Sequence, residues 1–109
     1  MRPMYRQGDI LLIPIDQVPP GTKPVKRENG KLILAHGEIT GHHHAFDTDV
    51  ENVELVSKED AAELYLLVYG DETVPLTHQE HATIPVAPGK YEVRRQREYS
   101  PEALRQLQD

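Results

Sequence analysis

Residues 64–96 read LYLLVYGDETVPLTHQEHATIPVAPGKYEVRRQ, and this stretch decides the fold class. It holds short apolar runs of strand length, each closed by turn residues. Leu64 to Tyr69 reads as a buried strand that ends at Gly70-Asp71. Thr73 to Thr77 is expected to return antiparallel to it. Ile84 and Val86 lead into Pro88-Gly89, and Tyr91 to Gln96 follow as the second arm of a hairpin.

The rest of the chain has the same rhythm. Asp9 to Ile15 is a continuous apolar run with Pro14 inside it, which places that run at a sheet edge or a bulge. Lys23 to Arg27 and Lys31 to Ala35 flank Glu28-Asn29-Gly30. Asn-Gly is the strongest short hairpin signal, because both residues accept positive φ. Val53 and Leu55 alternate with polar residues, as in a half-buried strand. Ser57 with Asp60 three residues later resembles a capping box and predicts a turn of helix. Ser100-Pro101-Glu102 predicts a short C-terminal helix over about residues 100–108, with Leu104 and Leu107 on one face. The sum is an all-β protein: a small barrel or sandwich of short, mostly antiparallel strands with that terminal helix.

A length of 109 residues indicates a single domain over residues 1–109. Hydrophobic residues make up 38%, with one Phe and no Trp, so the core is modest and a metal or an oligomer would supplement it. No segment approaches the roughly 20 apolar residues that cross a membrane as a helix. The expectation is a cytoplasmic protein. A net charge of −6 opposes general nucleic-acid binding. Arg94, Arg95, Arg97 and Arg105 form a local basic cluster. Charges guarding a solvated sheet edge account for it, with anion binding the alternative. The terminal helix is the expected contact for a homo-oligomer or a protein partner. Asp9, following Gly8, reads as turn chemistry.

All six histidines lie between residues 36 and 81, and there is no cysteine. Any metal site is therefore built from His with Asp, Glu or water. If residues 42–46 are extended, His42 and His44 share one face and His43 takes the other. His78 and His81 converge only in a tight turn or one helical turn. The candidate metal ligands are His42, His44, His78 and His81, with Glu80 and Asp47 as extra carboxylates and His36 as an outer or alternate group. Zinc is the default ion, with iron, manganese, nickel and copper compatible with the same donors. Glu80 is the candidate catalytic residue, a general base on metal-bound water. A metal-free interaction, accessory or virion-type module is the competing class.

Two family resemblances follow from these residues. Gly37, His42-His43-His44 and Pro88-Gly89 resemble parts of the two cupin motifs. That likeness implies His42 and His44 as the first-motif pair, Asp47 or Glu51 as its acid, and His78 or His81 as the second-motif histidine. Here the latter two precede Pro88-Gly89, where the cupin pattern has them follow. Arg6-Gln7-Gly8-Asp9, Gly37 to His42, Leu76 to His81 and Arg95 to Tyr99 resemble a family of small uncharacterised bacterial and phage proteins. That second likeness implies no activity.

Overall fold

The computed structural model describes residues 3–36, 42–59 and 63–95. Its strands are β1 (Tyr5–Gln7), β2 (Ile10–Pro14), β3 (Lys23–Pro24), β4 (Leu32–His36), β5 (His43–Phe46), β6 (Val53–Lys58), β7 (Glu63–Val68), β8 (Val74–Leu76), β9 (Ile84–Val86) and β10 (Gly89–Arg95). Every pairing is antiparallel. Six strands form one sheet in the order β1-β2-β10-β7-β6-β3, while β4-β5 and β8-β9 form two-stranded sheets. The all-β expectation holds in this form.

The large sheet has two ends, β1 and β3, so among the described residues no barrel closes. Among those same residues there is no helix. The helix expected from Ser100 lies outside them. The one expected after Ser57 falls partly on residues 60–62, outside them; its described start is strand, with Ser57 and Lys58 paired to Leu64 and Glu63, followed by Glu59 in a turn at φ 55°. Six consecutive ladder pairs outweigh a local capping pattern.

Cross-strand partners share a face of a sheet. The row Pro14, Tyr91, Leu66, Leu55 crosses four strands, and the row Val68, Val53 runs beside it. Of these, Tyr91, Leu66, Leu55, Val68 and Val53, with Ile10 and Leu12, join Leu32, Leu34 and Phe46 of the β4-β5 hairpin and Val74, Leu76 and Val86 of the β8-β9 hairpin in one core. The two hairpins thus cover one face of the large sheet. They are linked to each other where Ala45 and Thr77 exchange backbone hydrogen bonds of 3.0 and 2.9 Å.

The apolar run containing Pro14 is an inner strand, contrary to the edge expectation. Pro14 is tolerated because β1 reaches only as far as Leu12, leaving Pro14 with a partner on the β10 side alone. Several connections also differ from the simplest hairpins. β3 pairs with β6 and β4 with β5, although the Asn29-Gly30 turn forms as expected. β8 pairs with β9, so β10 is free to enter the middle of the large sheet. The arginines at its end are consequently not on an edge strand. Arg94 pairs with Glu92 at 3.1 Å, and Arg95 stands in one row with Ile10 and Gln7 on the core side of the sheet.

Candidate functional site at the rim of the large sheet

At the Gln7–Arg95 end of the sheet the apolar core gives way to polar groups. The loop between β8 and β9 folds over this rim, and it is tied down from two directions. On the β5 side, the Ala45–Thr77 bridge is joined by Thr77 Oγ1, which donates to Ala45 O at 3.0 Å. Gln79 Oε1 accepts from the His43 N–H at 2.8 Å. On the β1 side, the buried Gln7 amide donates to Leu76 O at 2.9 Å and to Ala82 O at 3.0 Å, clamping both ends of the loop.

These ties bring His44, His78 and His81 together. The ring centroids lie 4.4 Å apart for His44 and His78, 4.6 Å for His78 and His81, and 6.1 Å for His44 and His81. His42 joins through His78, with centroids 5.9 Å apart. Strand parity places the side chains as expected: His44 is 1% exposed, while His43 faces the other way toward His36, at 6.2 Å. His36 stays outside the group and meets Glu28 at 3.3 Å. Asp47 follows β5 in a turn, where its carbonyl accepts from the Val50 N–H at 3.1 Å. Glu80 Oε1 lies 2.7 Å from His42 Nδ1.

The hydrogen bonds determine which ring nitrogen carries a proton. Both N–H bonds of the Gln7 amide go to carbonyl oxygens, so its Oε1 is an acceptor. Oε1 lies 2.8 Å from His44 Nδ1, which therefore donates. In neutral His44 the lone pair is then on Nε2. At 3.2 Å from that nitrogen lies Oδ1 of Asp9, a second acceptor. His78 uses its Nδ1 lone pair to accept from the Glu80 N–H at 3.0 Å.

Electrostatics keeps both facing groups in their acceptor forms. Burial, reinforced by His78, pushes His44 down to about 4 against the opposing pull of Asp9. Burial also lowers His78, with His81 and His42 adding to the shift. For Asp9, burial alone would raise the carboxyl. The Arg95 guanidinium, a backbone hydrogen bond and His44 outweigh it and hold the group below its ordinary value. Arg95 Nε donates to Asp9 Oδ2 at 3.0 Å, and its other arm donates to His36 O.

Gly8 makes this approach sterically feasible. It has φ 58° in the two-residue turn between β1 and β2, and a Cβ built there would lie 2.6 Å from His81 Nε2. In the sequence Gly8-Asp9 reads as a turn, and no local pattern connects Gln7, Asp9 or Arg95 with the histidines. The one available signal was the presence of Arg6-Gln7-Gly8-Asp9 and Arg95-Gln96-Arg97 among the recurring segments of the family resemblance.

Chemically, the rim offers imidazole nitrogens and a carboxylate at short range. As the side chains stand, among the described residues no three His, Asp or Glu groups are already set to hold a metal ion. The His78 ring explains part of this, since its Nδ1 is engaged by the Glu80 backbone.

The sequence profile of a domain of unknown function (DUF8820) matches residues 6–96, and the chain belongs to that family. This agrees with the resemblance to small uncharacterised proteins and lends nothing to the cupin or phage likeness. No curated protein and no solved structure matches the chain.

Proposed function

We propose that this member of the DUF8820 family is a small metal-binding β protein whose histidine cluster takes up one divalent ion, zinc by default. The observation that carries the reading is the spacing of the His44, His78 and His81 rings. Zn–N bonds of about 2.0–2.1 Å in tetrahedral geometry put the centroids of imidazoles sharing an ion about 5 Å apart. The centroid separations of 4.4, 4.6 and 6.1 Å bracket that value. Burial and mutual proximity favour neutral imidazole at His44 and His78, the form that coordinates. The Gln7–His44 hydrogen bond is the kind of outer contact that orients a ligating histidine, and Glu80 stands in the same relation to His42. Loading requires the His78 ring to give up its bond to the Glu80 N–H or to turn.

An ion held there would act as a Lewis acid and acidify a bound water, the chemistry of metal-assisted hydrolysis. Glu80 has a half-exposed carboxylate beside His42, where it can accept a proton from such a water.

Elemental analysis of tag-free protein, never exposed to a nickel column, tests the reading. About one zinc per chain, lost in His44→Ala, supports it. Retained metal with loss of any hydrolytic activity in Glu80→Gln extends it to catalysis. Metal-free protein whose stability ignores both zinc and chelator overturns it and leaves an interaction module.

A further inference from the structure

We propose that residues 96–109 dock through Leu104 and Leu107 on the outer face of the large sheet, the face turned away from the two hairpins, and close a second apolar layer there.

Two strands of that sheet are apolar on both faces. β2 reads Ile10-Leu11-Leu12-Ile13, and β7 carries Leu64-Tyr65-Leu66-Leu67-Val68. An antiparallel sheet with one face in water alternates apolar and polar residues, whereas an unbroken apolar run belongs to a strand covered on both sides. The inner set, with Ile10, Leu12, Leu66 and Val68, packs in the core under the hairpins. The outer set has no such cover. Ile13, Glu92, Tyr65 and Val56 form one row across β2, β10, β7 and β6, and Leu11 stands beside Arg94 in a neighbouring row. Leu11 is 7% exposed and Val56 and Tyr65 are each 6% exposed, yet all three stand apart from the main core. Among the described residues, six strands make the sheet and the other four lie on its inner face, so no strand is left to cover them. Charged stems do not account for the burial of Leu11. Arg6 and Arg94 flank it in its row, but Arg6 is exposed and the Arg94 side chain is 60% exposed, standing in solvent rather than lying across Leu11.

Position and length identify the occupant. β10 is an inner strand whose described part ends at Arg95, one residue beyond the Arg94–Leu11 pair, so residues 96–109 set out from beside this face. They contain the helix expected from Ser100, with Leu104 and Leu107 on one side. Leu11 and Tyr65 are separated by two strand spacings and two residues along the strands, about 12 Å. A helix over residues 100–108 is about 14 Å long, which matches that span. Residues 96–99 reach up to about 13 Å when extended, enough to turn the chain back over the sheet. The apolar stripe is narrow, with Glu92 inside it and Arg94 and Glu63 at its margins. A single short helix with two leucines fits it, whereas the same face of a second copy would bring a second set of these charges into the contact.

The absence of cysteine lets disulfide trapping test the docking in the whole chain. Leu104→Cys is combined with Ile13→Cys or Leu67→Cys on the outer face. The control combines it with Pro75→Cys, an exposed residue of the β8-β9 hairpin. Under mild oxidation at least one outer-face pair is expected to close within a single chain at least about 10-fold faster than the control, as a held contact raises effective concentration. In a separate variant without cysteines, Leu104→Ser with Leu107→Ser should lower the melting midpoint by at least about 5 °C. Disulfides that form only between chains overturn the inference and assign the face to a second copy. Outer-face pairs that close no faster than the control, or a melting midpoint untouched by the serine pair, also overturn it and leave residues 96–109 off this face.

Discussion

Two tight two-residue turns in this molecule each contain a positive-φ glycine and are surrounded differently. Asn29-Gly30 has φ 53° and 82°, with Glu28 and Lys31 exchanging backbone hydrogen bonds of 2.8 and 3.0 Å across it. Gly8-Asp9 joins Gln7 to Ile10 with Gly8 at φ 58°. The first turn lies against the methyl of Thr48, and a Cβ on Gly30 would come within 2.7 Å of it. The second lies against the His81 ring, with Asp9 held between Arg95 and His44. The backbone conformation that makes a turn is therefore separate from its use. What a turn does depends on the side chains that the rest of the fold brings to it.

The largest expected effect comes from removing the clamp beside the second turn. Gln7→Leu leaves Leu76 O, Ala82 O and His44 Nδ1 without their partner in a buried setting. The cost should be about 3 kcal/mol in denaturant unfolding, at the upper end for unpaired buried groups. A cost below about 0.5 kcal/mol would remove Gln7 from the account of how the rim is organised.

Acid should act on the same turn's neighbourhood before it reaches the other. His44 has a folded value of about 4, below the ordinary 6.5, so the unfolded chain binds more protons between these limits. Stability of the metal-free protein is then present above pH 6.5 and is lost as pH falls toward 4. By linkage the loss due to His44 is on the order of 1–2 kcal/mol between pH 6.5 and 5. His78, shifted in the same direction, adds to it. Unfolding curves across that range should show the slope, and His44→Gln should remove most of it. A slope unchanged in that variant would place the proton uptake elsewhere.

The two turn glycines sharpen the comparison directly. Gly8→Ala and Gly30→Ala each force an L residue into the left-handed region, at about 1–2 kcal/mol. Both therefore lower the melting midpoint. Only Gly8→Ala should also weaken zinc binding, because its methyl displaces the His81 ring. Equal zinc affinity in the two variants would dissociate the Gly8 turn from the site. The smallest effect is expected at Asn29→Ala, about 1 kcal/mol from loss of a residue that accepts positive φ, with no change in metal uptake.

Much of the framework was legible from local pattern. The runs Leu64 to Tyr69 and Asp9 to Ile15 and the Asn29-Gly30 turn follow from apolar runs and turn chemistry, and they reappear as the strands Glu63–Val68 and Ile10–Pro14 and in the φ angles. Partner choice was not legible, because it depends on contacts between residues distant in the chain. That is why β10 sits between β2 and β7 rather than beside β9. The same limit applies to the rim. Parity within residues 42–46 separated His44 from His43, and a turn was required at His78 and His81. Nothing local tied Gln7 to Leu76, 69 residues away, or Arg95 to Asp9, 86 residues away. The Ser57 capping pattern misled for the complementary reason, since a local signal yielded to a ladder formed with β7.

The central claim is that the rim binds one metal ion through its histidines, and a calorimetric titration of tag-free, metal-stripped protein with zinc tests it most directly. The predicted result is saturation at about one zinc per chain with a raised melting midpoint, as follows when an ion binds the folded state alone. An absence of binding heat, together with a melting midpoint unchanged by saturating zinc, would contradict it.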